Sequence, residues 1–179
     1  GQSFERLAGV PPGAVVALWV DPTNGEVFAA QRVGVPGDEQ TPDYHLLRGT
    51  PRAGGFRWDR QDLPKPYNTE RYYMVMRDRE GRCWAAGGRG LIRMAGWGRA
   101  PAEVALQPSG SPKLTLNGLY LDPQRRVWAR TENGLILFDG DQRRAFDERQ
   151  GLPAPWSNAL LVDREGSLWV AAEGVHRLQ

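Results

Sequence analysis

His45 and His176 are the two histidines of this chain, and Cys83 is its single cysteine. Metal ligation, thiolate attack or imidazole proton transfer would have to start from these three. Neither histidine has a carboxylate at a metal-ligand spacing. His176 fits an amphipathic strand position, and His45 reads as ordinary polar surface. Cys83, beside Trp84, suits a small buried hydrophobe. One cysteine can form neither an internal disulfide nor a cysteine–zinc cluster. No Gly-x-Ser-x-Gly elbow is present. Gly87-Gly-Arg-Gly90 reads as a hairpin turn, not as the strand-to-helix cradle of a phosphate loop. The chemistry on offer is therefore recognition, with no cofactor expected. Tyr67, Asn68, Arg71, Arg89, Arg130, Glu132, Trp156 and Asn158 form the candidate binding set. Aromatic rings beside guanidinium and amide groups suit a polar small molecule or a peptide.

What would bring these residues together is a repeat. Asp163-Arg-Glu-Gly166-Ser-Leu-Trp169, followed by Gly174, is matched by Asp78-Arg-Glu-Gly81-Arg-Cys-Trp84 followed by Gly90. It is matched again by Asp122-Pro-Gln-Arg-Arg-Val-Trp128 followed by Gly134, and in a worn form by Asp21-Pro-Thr-Asn-Gly25-Glu-Val-Phe28. The anchor aspartates lie 57, 44 and 41 residues apart. Self-similarity at about 40–45 residues marks a propeller or a solenoid. The aspartate can bond its own turn, glycine accepts the positive φ of a tight hairpin, and the aromatic fills the wedge between units.

Short alternating or apolar segments separated by turns predict an all-β chain of four-stranded units. The repeats run about 14–60, 71–106, 115–146 and 156–178, with a leading strand over 2–7. The first repeat is the longest, and its proline, glycine and acid content over 33–43 predicts a surface loop. The fourth repeat stops after three strands, so the strand near Phe4 could pair beside Val175 and close a ring of about four blades. The whole of 1–179 then reads as one β-propeller unit. In such a ring, Tyr67, Asn68, Arg71, Trp156 and Asn158 enter first strands, while Arg89, Arg130 and Glu132 sit on hairpins between second and third strands. Both groups fall on one face.

Hydrophobic residues make up 40% of the chain and charged residues 25%, with net charge +2 and no basic run of five. These values fit a globular domain and give no nucleic-acid footprint. No apolar run reaches the length of a membrane span, so any membrane attachment would come through segments outside this chain.

Asp-x-x-Gly-x-x-Trp, then Gly-Leu-x-x-Leu/Phe, resembles the two-component-regulator propeller repeat. The lead-in Gly151-Leu-Pro153, with its proline ten residues before Asp163, is similar to the Gly-Leu-Pro of that family. Pro11 and Pro112 keep the same distance from Asp21 and Asp122. The third repeat has Arg125 or Arg126 where the hairpin glycine stands, and the first replaces Trp by Phe28. The resemblance implies a non-catalytic sensor region of a bacterial hybrid histidine kinase or diguanylate cyclase. It also implies a periplasmic or extracellular location, and a chain that is one piece of a longer propeller. Two alternatives are an interaction scaffold, in which half-propellers pair as a homo-oligomer, and a propeller enzyme similar to the streptogramin lyases, which would need a catalytic histidine such as His176.

Overall fold

Each intact repeat closes a turn on its own aspartate. Oδ1 of Asp78, Asp122 and Asp163 accepts the backbone N–H of Arg82, Arg126 and Ser167 at 2.9, 2.8 and 2.8 Å. Oδ2 of the same three aspartates accepts the indole N–H of Trp84, Trp128 and Trp169 at 2.8, 3.2 and 2.7 Å. One carboxylate thus sets the turn and pins the ring on the strand that follows. Gly81 and Gly166 hold the turn at φ +81° and +86°. Arg125 occupies the same place in the third repeat at φ +61°, a left-handed conformation that costs a non-glycine residue about 1–2 kcal/mol.

The structure is a computed structural model and describes residues 7–35, 38–88, 90–104, 106, 115–152 and 159–178, without the side chains of 35 and 38–42. The first sheet is β1 (Ala14–Val20), β2 (Val27–Val35), β3 (Asp38–Arg52) and β4 (Gly55–Asp62). The second is β5 (Tyr72–Arg77), β6 (Cys83–Gly87), β7 (Gly90–Met94) and β8 (Pro101–Val104). The third is β9 (Leu116–Leu121), β10 (Val127–Thr131), β11 (Gly134–Asp139) and β12 (Gln142–Phe146). The fourth is β13 (Ala159–Val162), β14 (Leu168–Ala171) and β15 (Val175–Leu178). Strands pair antiparallel in chain order within every sheet. These are the blades of a β-propeller, as the repeat predicts. Among the described residues no helix is long and apolar enough to cross a membrane.

Blades pack through apolar seams built from alternate residues of neighbouring sheets. Phe28, Leu46 and Leu63 meet Val75, Ala85 and Ile92 between blades 1 and 2. Trp84, Leu91 and Leu106 meet Leu119, Val127 and Phe138 between blades 2 and 3, with the Trp84 and Phe138 rings 5.1 Å apart. Trp128 and Leu137 meet Leu160, Leu168 and Val170 between blades 3 and 4. The segment entering each later blade adds one apolar residue to its seam: Leu63, Leu106 and Leu152.

The loop expected over 33–43 is a correction. β2 and β3 run on there as one hairpin, with Val33 opposite Asp43 and Gly34 opposite Pro42. β4 reaches only as far as His45. Beyond that point β3 is an edge, where Pro42 can sit without breaking a ladder bond. The strand expected near Phe4 lies outside the described residues.

Candidate functional site

Bulges in the innermost strands decide which side chains face the hairpin end of the blades. Pairing slips between Val15 and Ala17 in β1, between Tyr72 and Met74 in β5, and between Leu116 and Gly118 in β9. A bulge leaves one residue unpaired and re-aims it. In β5 and β9 that residue is Tyr73 and Asn117. With Gly87, Gly88, Gly90, Thr115 and Leu116 they line a cleft of about 550 Å³ between blades 2 and 3. The Tyr73 hydroxyl donates to the Leu116 carbonyl at 2.7 Å, bridging the two blades. Burial raises the pKa of this phenol, partly offset by the positive charge of Arg130.

Of the candidate binding set, Arg130 and Glu132 border this cleft through its own backbone. Arg130 Nη2 donates to the Asn117 carbonyl at 2.8 Å, and Glu132 Oε1 accepts the Thr115 N–H at 3.3 Å. Arg71 is exposed just ahead of β5, and its carbonyl lies against Gly87, where any Cβ would come within 2.7 Å of it. Tyr67 and Asn68 stand apart in a single 3-10 turn (Tyr67–Thr69). There Asn68 Nδ2 donates to Asp43 Oδ1 at 3.1 Å, and Tyr67 packs against the first seam. Arg89, Trp156 and Asn158 lie outside the described residues. Tyr73 and Asn117 are additions to the set. Their sequence signal is a break in alternation: two adjacent tyrosines opening one strand, and Asn-Gly inside another.

His45 is not polar surface, which corrects the sequence reading. It is buried in blade 1, with Asp43 Oδ2 3.3 Å from Nε2 and Asp62 Oδ1 2.9 Å from Nδ1. The pairing of β3 with β4 sets His45 opposite Asp62, a neighbour that spacing along the chain does not reveal. The carboxyl of Asp62 is held below its usual range by its bond to Arg60, with burial opposing. His176, on β15, faces a small apolar cavity with Leu168, Val170 and Phe146. Burial pushes the Cys83 thiol up to about 11. Among the described residues no three His, Cys, Asp or Glu side chains are placed to hold a metal.

At the opposite end of the blades the worn first repeat is used differently. The Phe28 ring carries no N–H, so Asp21 Oδ2 is free to accept from outside its own blade. It takes Arg77 Nη2 of blade 2 at 2.7 Å and Arg125 Nη2 of blade 3 at 2.8 Å. Burial raises the pKa of Asp21, but the Thr23 hydroxyl and amide and the two guanidiniums outweigh it and hold the carboxyl far below its usual range. Beside this cluster, Trp19, Val20, Leu121, Val162 and Arg164 line an axial hollow of about 440 Å³.

Comparison of the sequence with family models and with curated proteins gives no match. Among solved structures, the chain is similar to the extracellular domain of BT4673 from B. thetaiotaomicron, described both as a one component and as a hybrid two component system. That match has 17% identity and TM-score 0.59, over 94% of this chain and 22% of the other. It is similar to virginiamycin B lyase from Staphylococcus aureus in a complex with quinupristin, at 13% identity and TM-score 0.60, over 98% and 59%. It is similar also to PorZ, a surface component of the type-IX secretion system of Porphyromonas gingivalis, at 15% identity and TM-score 0.60, over 93% and 26%. The chain therefore spans less than two thirds of each of these structures. At such identities the likeness is one of fold, and the fold is that of β-propeller blades.

Proposed function

We propose that this arc of blades is a non-catalytic sensing element, and that it recognises a polar small molecule or a short peptide at the cleft between blades 2 and 3. The observation that carries the reading is the double use of bulges: Tyr73 and Asn117 are both turned out of their ladders into one polar hollow. A glycine-rich wall at Gly87, Gly88 and Gly90 lets a ligand approach the backbone closely, with no side chain in the way. Arg130 and Glu132 at the rim add charge of both signs. A place on the outer side of a bacterial membrane, within a signalling receptor, is supported by the fold likeness to extracellular domains described as one and two component systems; this is an argument from fold. Ligand binding would act by favouring one conformation of the receptor over another.

The test is a thermal-shift screen against amino acids, di- and tripeptides and cell-envelope sugar fragments. A hit that raises Tm in the wild type and loses its effect in Asn117→Ala supports the cleft. A hit whose effect survives Asn117→Ala places binding elsewhere, and a screen without hits removes direct sensing.

A further inference from the structure

Two adjacent residues of β5 hold two residues of β9 across the seam between blades 2 and 3. The Tyr73 hydroxyl donates to the Leu116 carbonyl at 2.7 Å, and the Met74 sulfur accepts the Leu119 N–H at 2.9 Å. Between those two holds lies Asn117-Gly118, where β9 bulges and Asn117 turns into the cleft. One wall of the cleft is therefore fixed to blade 2 by a hydroxyl on one side and a thioether on the other. The thioether is the chemically vulnerable hold, because a methionine sulfur is readily oxidised to a sulfoxide.

The chain has three methionines, and the structure separates them. Met76 is 6% and Met94 0% exposed. Met94 lies in the first seam, where its sulfur accepts from Gln61 Nε2 at 3.3 Å. Met74 is only partly buried: it packs against the second seam, with Ala86 opposite it on β6. Its neighbour Tyr73 is exposed at the cleft. The remaining sulfur, Cys83, is buried in the first seam, and that burial keeps it in the unreactive thiol form.

From this placement we infer that Met74 is a site of reversible oxidation by peroxide, and that its sulfoxide loosens the wall of the cleft. A lone pair of the thioether attacks one oxygen of hydrogen peroxide, and the O–O bond breaks as the S–O bond forms. The sulfur gives up two electrons; the displaced hydroxide takes the proton from the transferred oxygen and leaves as water. The product carries a polar S=O group where an apolar side chain was packed. Its oxygen displaces either the Leu119 N–H or the apolar neighbours of the seam, so β9 loses one of its two holds beside Asn117. The consequence for ligand binding rests on the cleft being the sensing site; the oxidation and the release of Leu119 do not.

The experiment exposes the full chain to hydrogen peroxide and follows each methionine by peptide mass spectrometry, with fragment ions separating Met74 from Met76. Met74 should be oxidised several-fold faster than Met76 and Met94 in the folded protein, and all three at one rate in urea. Hydrogen exchange of the Leu119 amide should then speed up several-fold and Tm should fall, and methionine sulfoxide reductase should reverse both. Met74→Leu keeps the apolar volume and should show neither change under the same peroxide, which excludes damage at Cys83 or the tryptophans. Oxidation of Met74 no faster than that of Met76 overturns the inference. So does a sulfoxide at Met74 that leaves Leu119 exchange at its starting rate, or a peroxide effect that persists in Met74→Leu. If oxidation releases Leu119 while the thermal-shift screen finds no ligand, the oxidation site stands and the sensing role falls.

Discussion

Arg125 Nη2 lies 2.8 Å from the Oδ2 of Asp21, joining blade 3 to blade 1 across the edge of blade 2. Each of the two blades departs from the repeat at this contact. Phe28 stands where an indole would occupy Oδ2 of the aspartate, and Arg125 stands where a glycine would relax the turn. The vacancy left by the first is filled by the second. Arg125 adds a 2.9 Å bond to Thr23 Oγ1 and a 3.0 Å bond to the Arg77 carbonyl, which together offset its left-handed backbone.

A double-mutant cycle measures this compensation. Asp21→Asn should cost about 3 kcal/mol, because two partly buried guanidiniums lose their shared counter-ion. Arg125→Gly relieves about 1 kcal/mol of backbone strain while breaking the link, so its net effect should be smaller. The coupling between the two, read from urea unfolding, should be on the order of 1–2 kcal/mol. Strict additivity would remove the link as a stabilising element.

Acid sensitivity follows from the same carboxylate. Its pKa is lower in the folded protein than in the unfolded chain, so its contribution is complete above about pH 4, the unfolded value. That contribution drains as pH falls toward the depressed folded value. Wild-type stability should fall between about pH 4 and pH 2 by on the order of 2 kcal/mol more than that of Asp21→Asn. Parallel stability–pH curves would contradict this.

The indole–carboxylate bond gives a graded prediction. Trp84→Phe keeps most of the ring but removes one of the two donors to the buried Asp78 Oδ2, leaving it the Arg82 guanidinium at 2.6 Å, so it should cost about 1 kcal/mol. Trp169→Phe, at a partly exposed ring, should cost less than half as much in the isolated chain. Equal losses would mean that the exposure of Trp169 is not maintained in solution.

Tyr73→Phe deletes the hydroxyl that bridges blades 2 and 3 at the cleft. Loss of that bond should lower stability by about 1 kcal/mol and weaken any cleft ligand by several-fold. A phenylalanine variant with wild-type stability and wild-type binding would show the bridge to be idle.

Cys83 should be inert. With its thiol pushed up to about 11 by burial, almost no thiolate exists at pH 8. Labelling by a disulfide reagent should then proceed at the rate of local or global opening. Rapid stoichiometric labelling of folded protein would contradict the packing of the first seam.

The repeat made most of the blades legible, because Asp, Gly and Trp at fixed offsets report the turn, the hairpin and the seam directly. The strands built on them fall where the pattern places them. The long β2–β3 hairpin was hidden by Pro42 and Gly34, which read as loop residues until the edge position of β3 is known. His45 was hidden because Asp62 reaches it only through strand pairing. Tyr73 and Asn117 needed the bulges, which displace single residues and leave the repeat period unchanged. The Asp21–Arg125 contact spans 104 residues and skips a blade, so neither periodicity nor neighbouring residues could announce it.

The trade between Phe28 and Arg125 also limits how this chain can be engineered. Consensus substitution usually stabilises natural proteins, and the other three repeats would prescribe Trp at 28 and Gly at 125. Made singly, either change spoils what the other departure accommodates: an indole at 28 would compete with two guanidiniums for one oxygen, and a glycine at 125 would leave that oxygen with Arg77 alone. The two positions form an epistatic pair, and the route from this sequence to a regular four-repeat array crosses a less stable intermediate unless both are changed in one step.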